Sequence, residues 1–78
     1  MERYRKGLLV KSKAGHDKGQ IFVIADLDES YIYLTDGKNR PLDKLKKKKI
    51  KHVQLINLQH DLEKADDAQI RKIIREYK

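Results

Sequence analysis

Apolar residues along this chain are gathered into short runs separated by charged turns, and the period within each run predicts the element. Gly7-Leu8-Leu9-Val10-Lys11-Ser12 is the first strand candidate and Ile21-Phe22-Val23-Ile24-Ala25 the second, rich in β-branched and aromatic residues. The second run is apolar throughout, so both its faces need cover, from a barrel interior on one side and another element on the other. After a polar turn at residues 26–30, Tyr31-Ile32-Tyr33-Leu34-Thr35 alternates aromatic with aliphatic side chains. That alternation places both tyrosines on one face and Ile32 with Leu34 on the other. Asp36-Gly37 predicts a tight hairpin turn with residues 38–42 as the return arm, which Pro41 confines to an edge or a short pairing. Val53-Gln54-Leu55-Ile56 reads as a closing strand. Four or five short strands with frequent turns predict a small antiparallel barrel.

The period changes after residue 65. Asp66 with Gln69 fits a capping box, and Asp67 adds negative charge near the helix N-terminus. Ile70, Ile73, Ile74 and Tyr77 share one helical face, while Arg71, Lys72, Arg75 and Lys78 take the other. A helix of about three turns needs a surface to pack on. It is expected to cover an open side of the barrel, with Tyr31 and Tyr33 beneath its isoleucines. Residues 57–65 read as a linker. The chain thus divides into a barrel over residues 5–56 and a linker with a terminal amphipathic helix over residues 57–78.

Composition narrows the class. A chain of 78 residues, 38% apolar and 40% charged, forms one domain with a thin core. Charge this high can prevent folding, but the clustering of the apolar residues argues for a core. There is no Cys, which excludes a disulfide framework and a thiolate zinc site and fits a reducing compartment. No apolar run approaches the ~20 residues of a membrane-spanning helix, and Met1-Glu2-Arg3-Tyr4-Arg5-Lys6 leads into no signal-peptide core. A cytoplasmic protein is expected. His16, His52 and His60 belong to no nucleophile motif or metal-ligand spacing, so no enzyme activity, cofactor, metal or small-molecule substrate is expected.

Charge placement supplies the candidate chemistry. The net charge of +7 arises wholly in residues 1–52, which hold 14 Lys/Arg against 7 Asp/Glu, whereas residues 53–78 hold 5 of each. Lys44, Lys46, Lys47, Lys48, Lys49 and Lys51 crowd into residues 44–51, just after Lys38 and Arg40. On a flexible segment they would repel one another, and phosphates would supply the missing counter-charge while counterion release drives association. A second candidate is the connection between the first two strands, where Gly15 and Gly19 bracket His16, Asp17 and Lys18. Two glycines so spaced predict a tightly shaped loop. From it Lys13, His16 and Lys18 project, with Lys11 on its approach. The competing readings are lysines that only confer solubility, a polybasic membrane patch without any lipidation signal, and DNA in place of RNA. Tyr31 and Tyr33 could also stack on bases, although the needs of the helix favour packing.

Residues 7–24 resemble a KOW motif, in which a strand, a glycine-bearing loop and a second strand open an SH3-like barrel. The Ala14-Gly15-His16-Asp17-Lys18-Gly19 loop, with Asp36-Gly37-Lys38-Asn39-Arg40-Pro41-Leu42 and the lysine run up to His52, resembles small bacterial KOW-domain RNA-binding proteins. These are related to a large-subunit ribosomal protein of archaea and eukaryotes, the fourteen-e type. The resemblance spans residues 5–56. It implies a mainly β fold, a five-stranded SH3-like barrel that binds RNA, ribosomal RNA foremost, with ribosomal proteins as further partners. The expected contacts are Lys11, Lys13, His16, Lys18, Lys38, Arg40, Lys44, Lys46, Lys47, Lys48, Lys49 and Lys51. KOW domains also bind proteins, as in the NusG elongation factor, so an SH3-like adaptor of the transcription or translation machinery is the alternative. On this reading, replacing residues 46–49 with Glu should abolish RNA binding and leave the fold intact.

Overall fold

The alternating runs form strands, and the 3.6-residue pattern forms a helix, in a computed structural model that describes residues 3–78; Met1 and Glu2 of the N-terminal stretch lie outside the described residues. Five antiparallel strands, β1 (Leu8–Ser12), β2 (Ile21–Leu27), β3 (Tyr31–Thr35), β4 (Lys46–Lys49) and β5 (Val53–Gln59), make one sheet in the order β4-β3-β2-β1-β5. One helix, α1 (Asp67–Tyr77), follows. A 3-10 turn of 3 residues, Ile50–His52, joins β4 to β5, although these strands are the two ends of the sheet. In a flat sheet those ends would lie about 19 Å apart, beyond the reach of so short a connection at roughly 3.5 Å per residue. The sheet therefore curls until its edges approach. The architecture is mainly β and compatible with a small SH3-like barrel. Curling is helped by a register shift between Ile24 and Asp26, which leaves Ala25 as a bulge. The bulge also carries β2 on to Leu27, so the turn before β3 is shorter than its polar sequence suggested. Likewise β5 runs on to Gln59, into the expected linker.

Side-chain alternation sorts the apolar residues into two cores. Leu8, Val10, Phe22, Ile24, Ile32, Leu34 and Val53 fill the barrel. Leu9, Ile21 and Val23 point the other way and are buried by Ile70 and Ile74 of α1. The all-apolar β2 is covered on both faces, as its sequence required. The tyrosines are placed differently from expectation. The helix takes the aliphatic surface of β1 and β2, which has no hydroxyl to satisfy, and leaves Tyr31 and Tyr33 half-buried outside that core. Tyr77, expected on the packed face, is 43% exposed.

The hairpin predicted at Asp36-Gly37 does not form, because the backbone donors of the supposed return arm are engaged elsewhere. Asp36 Oδ1 accepts the N–H groups of Lys38 and Arg40 at 2.9 and 2.8 Å, Pro41 has no N–H, and the Leu42 N–H donates to Asp67 Oδ1 at 2.8 Å. The loop is instead pinned to α1. Arg71 donates to the Gly37 carbonyl, and a Cβ at Gly37, whose φ is +72°, would strike the Asp67 carbonyl. Asp66 caps the helix by accepting the Gln69 N–H at 2.9 Å, one half of the expected capping box. With residues 38–42 unable to pair, β3 takes the lysine run as its partner.

Candidate nucleic-acid interface

Lysine is a poor strand former, yet Lys46–Lys49 pairs with β3 along its whole length. The register sets Lys46 and Lys48 opposite Leu34 and Ile32, which face the barrel interior, and sets Lys47 and Lys49 opposite Tyr33 and Tyr31, which face outward. Four identical residues are thereby divided into two pairs with different surroundings.

The inward pair is held by Asp17. Although it belongs to the loop between β1 and β2, Asp17 turns back into the end of the barrel and is only 8% exposed. Its Oδ1 accepts from Ser12 Oγ at 2.7 Å and from Lys48 Nζ at 3.1 Å, and Lys48 also donates to the Ala14 carbonyl at 3.0 Å. Lys46 Nζ stands 3.3 Å from Oδ2 as an ion pair, outside hydrogen-bond geometry, so the buried Oδ2 accepts no hydrogen bond. Burial pushes the Asp17 carboxyl up, but the Ser12 hydrogen bond and the two lysines together outweigh it and bring the pKa down to about 2. Gly15 and Gly19, with φ of +85° and +89°, give the loop the tight shape that lets Asp17 reach inward. Lys48, expected to face RNA, is itself buried, and Lys46 is partly covered. Replacing all of residues 46–49 with Glu would therefore bring carboxylates onto Asp17, and the expectation that the fold survives that change is corrected.

The outward pair flanks an aromatic surface. Lys47 Nζ lies 4.2 Å from the centre of the Tyr31 ring, and Tyr31, Lys47, Lys49 and His52 line one shallow hollow that Lys46 and Lys48 also border. On the adjoining side Tyr31 and Lys49 meet Lys51, with the carboxylate of Glu29 at the same hollow. Tyr33 is oriented by its hydroxyl, which donates to Asp28 Oδ2 at 2.8 Å. Asp28 also accepts the N–H groups of Ser30 and Tyr31, and these bonds, with that of Tyr33, hold its pKa low while raising that of Tyr33.

The remaining expected contacts divide by position. Lys11, Lys13, His16, Lys18, Lys38, Arg40, Lys44 and Lys51 are all exposed. The Lys13 N–H donates to the His52 carbonyl at 2.8 Å, which fastens one end of the glycine loop beside the Tyr31 hollow. Lys38 lies elsewhere, in a groove against α1. Sequence reasoning missed the inward role of Ser12 and Asp17. A signal for it was present, since Ser12 continues the inward parity of Leu8 and Val10 and so places a hydroxyl where only apolar groups or a polar partner fit. Among the described residues, no three His, Asp or Glu side chains gather as a metal site, and no helix is long and apolar enough to cross a membrane. No family model matches the chain, and no curated protein matches it.

Proposed function

We propose that this protein is a non-enzymatic RNA-binding module that acts at the ribosome, and that it grips the RNA backbone through the glycine loop and the outward side of β4, as the KOW-like sequence implies. The observation that carries the reading is the Tyr31 hollow: a half-exposed aromatic ring flanked by Lys47, Lys49 and Lys51, with Lys13 fastened beside it through His52. Ammonium groups gathered around one ring can neutralise neighbouring phosphates, and the ring offers a face on which an unpaired base can stack. Phosphate contacts carry affinity but little sequence information, so selectivity comes from RNA shape. Lys48 also borders this hollow, but its ammonium is turned away to Asp17 and the Ala14 carbonyl.

The test is a titration of structured RNA at several salt concentrations. Engagement of five phosphates by Lys13, Lys18, Lys47, Lys49 and Lys51 gives a slope of log K against log salt of about −3.5 to −4.5. A shallow slope, together with a captured partner that survives nuclease treatment of the extract, would replace this reading with the protein-binding adaptor.

A further inference from the structure

The basic residues of α1 form a second surface that the Tyr31 hollow does not include. Arg71, Arg75 and Lys78 stand at i, i+4 and i+7 and so form one stripe along the helix. Lys38 faces them from the loop after β3. Together with Gln20 and Asn39, the four cations line a groove of roughly 420 Å³ between helix and sheet. One carboxylate shares it, that of Asp36, whose Oδ1 is already bound to the N–H groups of Lys38 and Arg40. All four cations are exposed, and Arg71 is also fixed by its bond to the Gly37 carbonyl. Guanidinium groups and side-chain amides set along a cleft suit the phosphate and sugar oxygens of a nucleic-acid strand.

The glycine loop lies between the two surfaces. Its entry, Lys13, is tied to His52 beside the Tyr31 hollow, and its exit, Gln20, lines the helix groove. We infer that the groove between α1 and the loop after β3 is a second phosphate-backbone subsite, so that one folded RNA runs from the Tyr31 hollow across the glycine loop onto the helix. This rests on the RNA-binding reading and gives the helix a function beyond closing the outer core. A short single strand fills only the first surface; a longer folded RNA fills both.

The experiment compares two probes, a single strand of about six nucleotides and a hairpin with a stem of about 16 base pairs, the latter the span that double-stranded RNA modules cover. The variant R75E/K78E leaves the packed Ile70 and Ile74 and the bracing Arg71 untouched, and circular dichroism with thermal unfolding checks its fold. K64E/K72E, on exposed residues outside the groove, makes the same change in net charge. The expected result is a loss of at least about tenfold in hairpin affinity for R75E/K78E, with the salt slope reduced by about 1.4 to 1.8 and the short strand little affected. An equal loss in K64E/K72E would overturn the subsite, since only the overall field would then matter. Unchanged hairpin binding in a folded R75E/K78E would overturn it as well, leaving RNA binding by the first surface in place. Failure of the unaltered protein to bind either probe would remove the RNA-binding reading and the subsite with it.

Discussion

The two sides of β4 carry the same residue and do opposite things. Lys46 and Lys48 point into the end of the barrel and share the Asp17 carboxylate, while Lys47 and Lys49 point outward beside the tyrosines and leave their charge on the surface. The difference comes from strand parity and from one carboxylate 31 residues upstream of Lys48. A run of like charges is therefore not one functional unit; half of it holds the edge strand in place so that the other half can be presented. Two inward lysines with Asp17 also explain how so weak a strand former makes an edge strand, where outward lysines additionally discourage pairing with a second sheet.

The largest expected effect of breaking this arrangement is on stability. Asp17→Asn leaves the buried Lys48 ammonium without its counter-charge, and breaking a buried pair in this way costs about 3 kcal/mol. Urea unfolding at neutral pH measures it. The same carboxylate sets an acid limit. Its folded pKa of about 2 lies below the value of about 3.9 in the unfolded chain, so its contribution, about 2 to 3 kcal/mol, is fully present above about pH 5. It is lost as pH falls toward 2. The difference in stability between the unaltered protein and Asp17→Asn should accordingly shrink over that window, and a difference that stays constant would show that Asp17 is not held as an ion in the folded state.

Much of this was legible in the sequence, and the gaps have physical causes. The strands β1, β2 and β3 were readable from runs and alternation, and α1 from its cap and its isoleucines, because these signals are local. The fourth strand was not, since its pairing depends on Asp36 and Asp67 taking the donors of residues 38–42 and on Asp17 reaching in from a distant loop. Asp17 read as a loop charge for the same reason. The tyrosines were expected under the helix although the all-apolar β2 also asked for outer cover, because which of the two surfaces the helix takes depends on how Leu9 joins Ile21 and Val23 across the sheet. Lys13, Lys47, Lys49 and Lys51 were all named as contacts from the sequence, but their grouping around Tyr31 required the register.

A smaller effect sharpens the outward half of the comparison. Tyr31→Ala removes the ring over which Lys47 lies, and loss of one stacked base lowers RNA affinity about five- to tenfold, near the lower end of the range for base–aromatic stacking. Tyr31→Phe keeps the ring and should bind as the unaltered protein does. Stability should change by less than about 1 kcal/mol in either variant, because the ring lies outside both apolar cores.

The most direct test of the division within β4 is a matched pair of variants, K46E/K48E and K47E/K49E, which alter net charge equally. Thermal unfolding and RNA titration are measured on both. K47E/K49E should unfold close to the unaltered protein and bind RNA at least about tenfold more weakly, with a salt slope reduced by about 1.4 to 1.8. K46E/K48E, with two carboxylates facing Asp17, should lose its cooperative unfolding transition or shift it far down. Two variants that stay equally folded and lose RNA equally would contradict the account, because the lysine run would then act as one surface whichever way its side chains point.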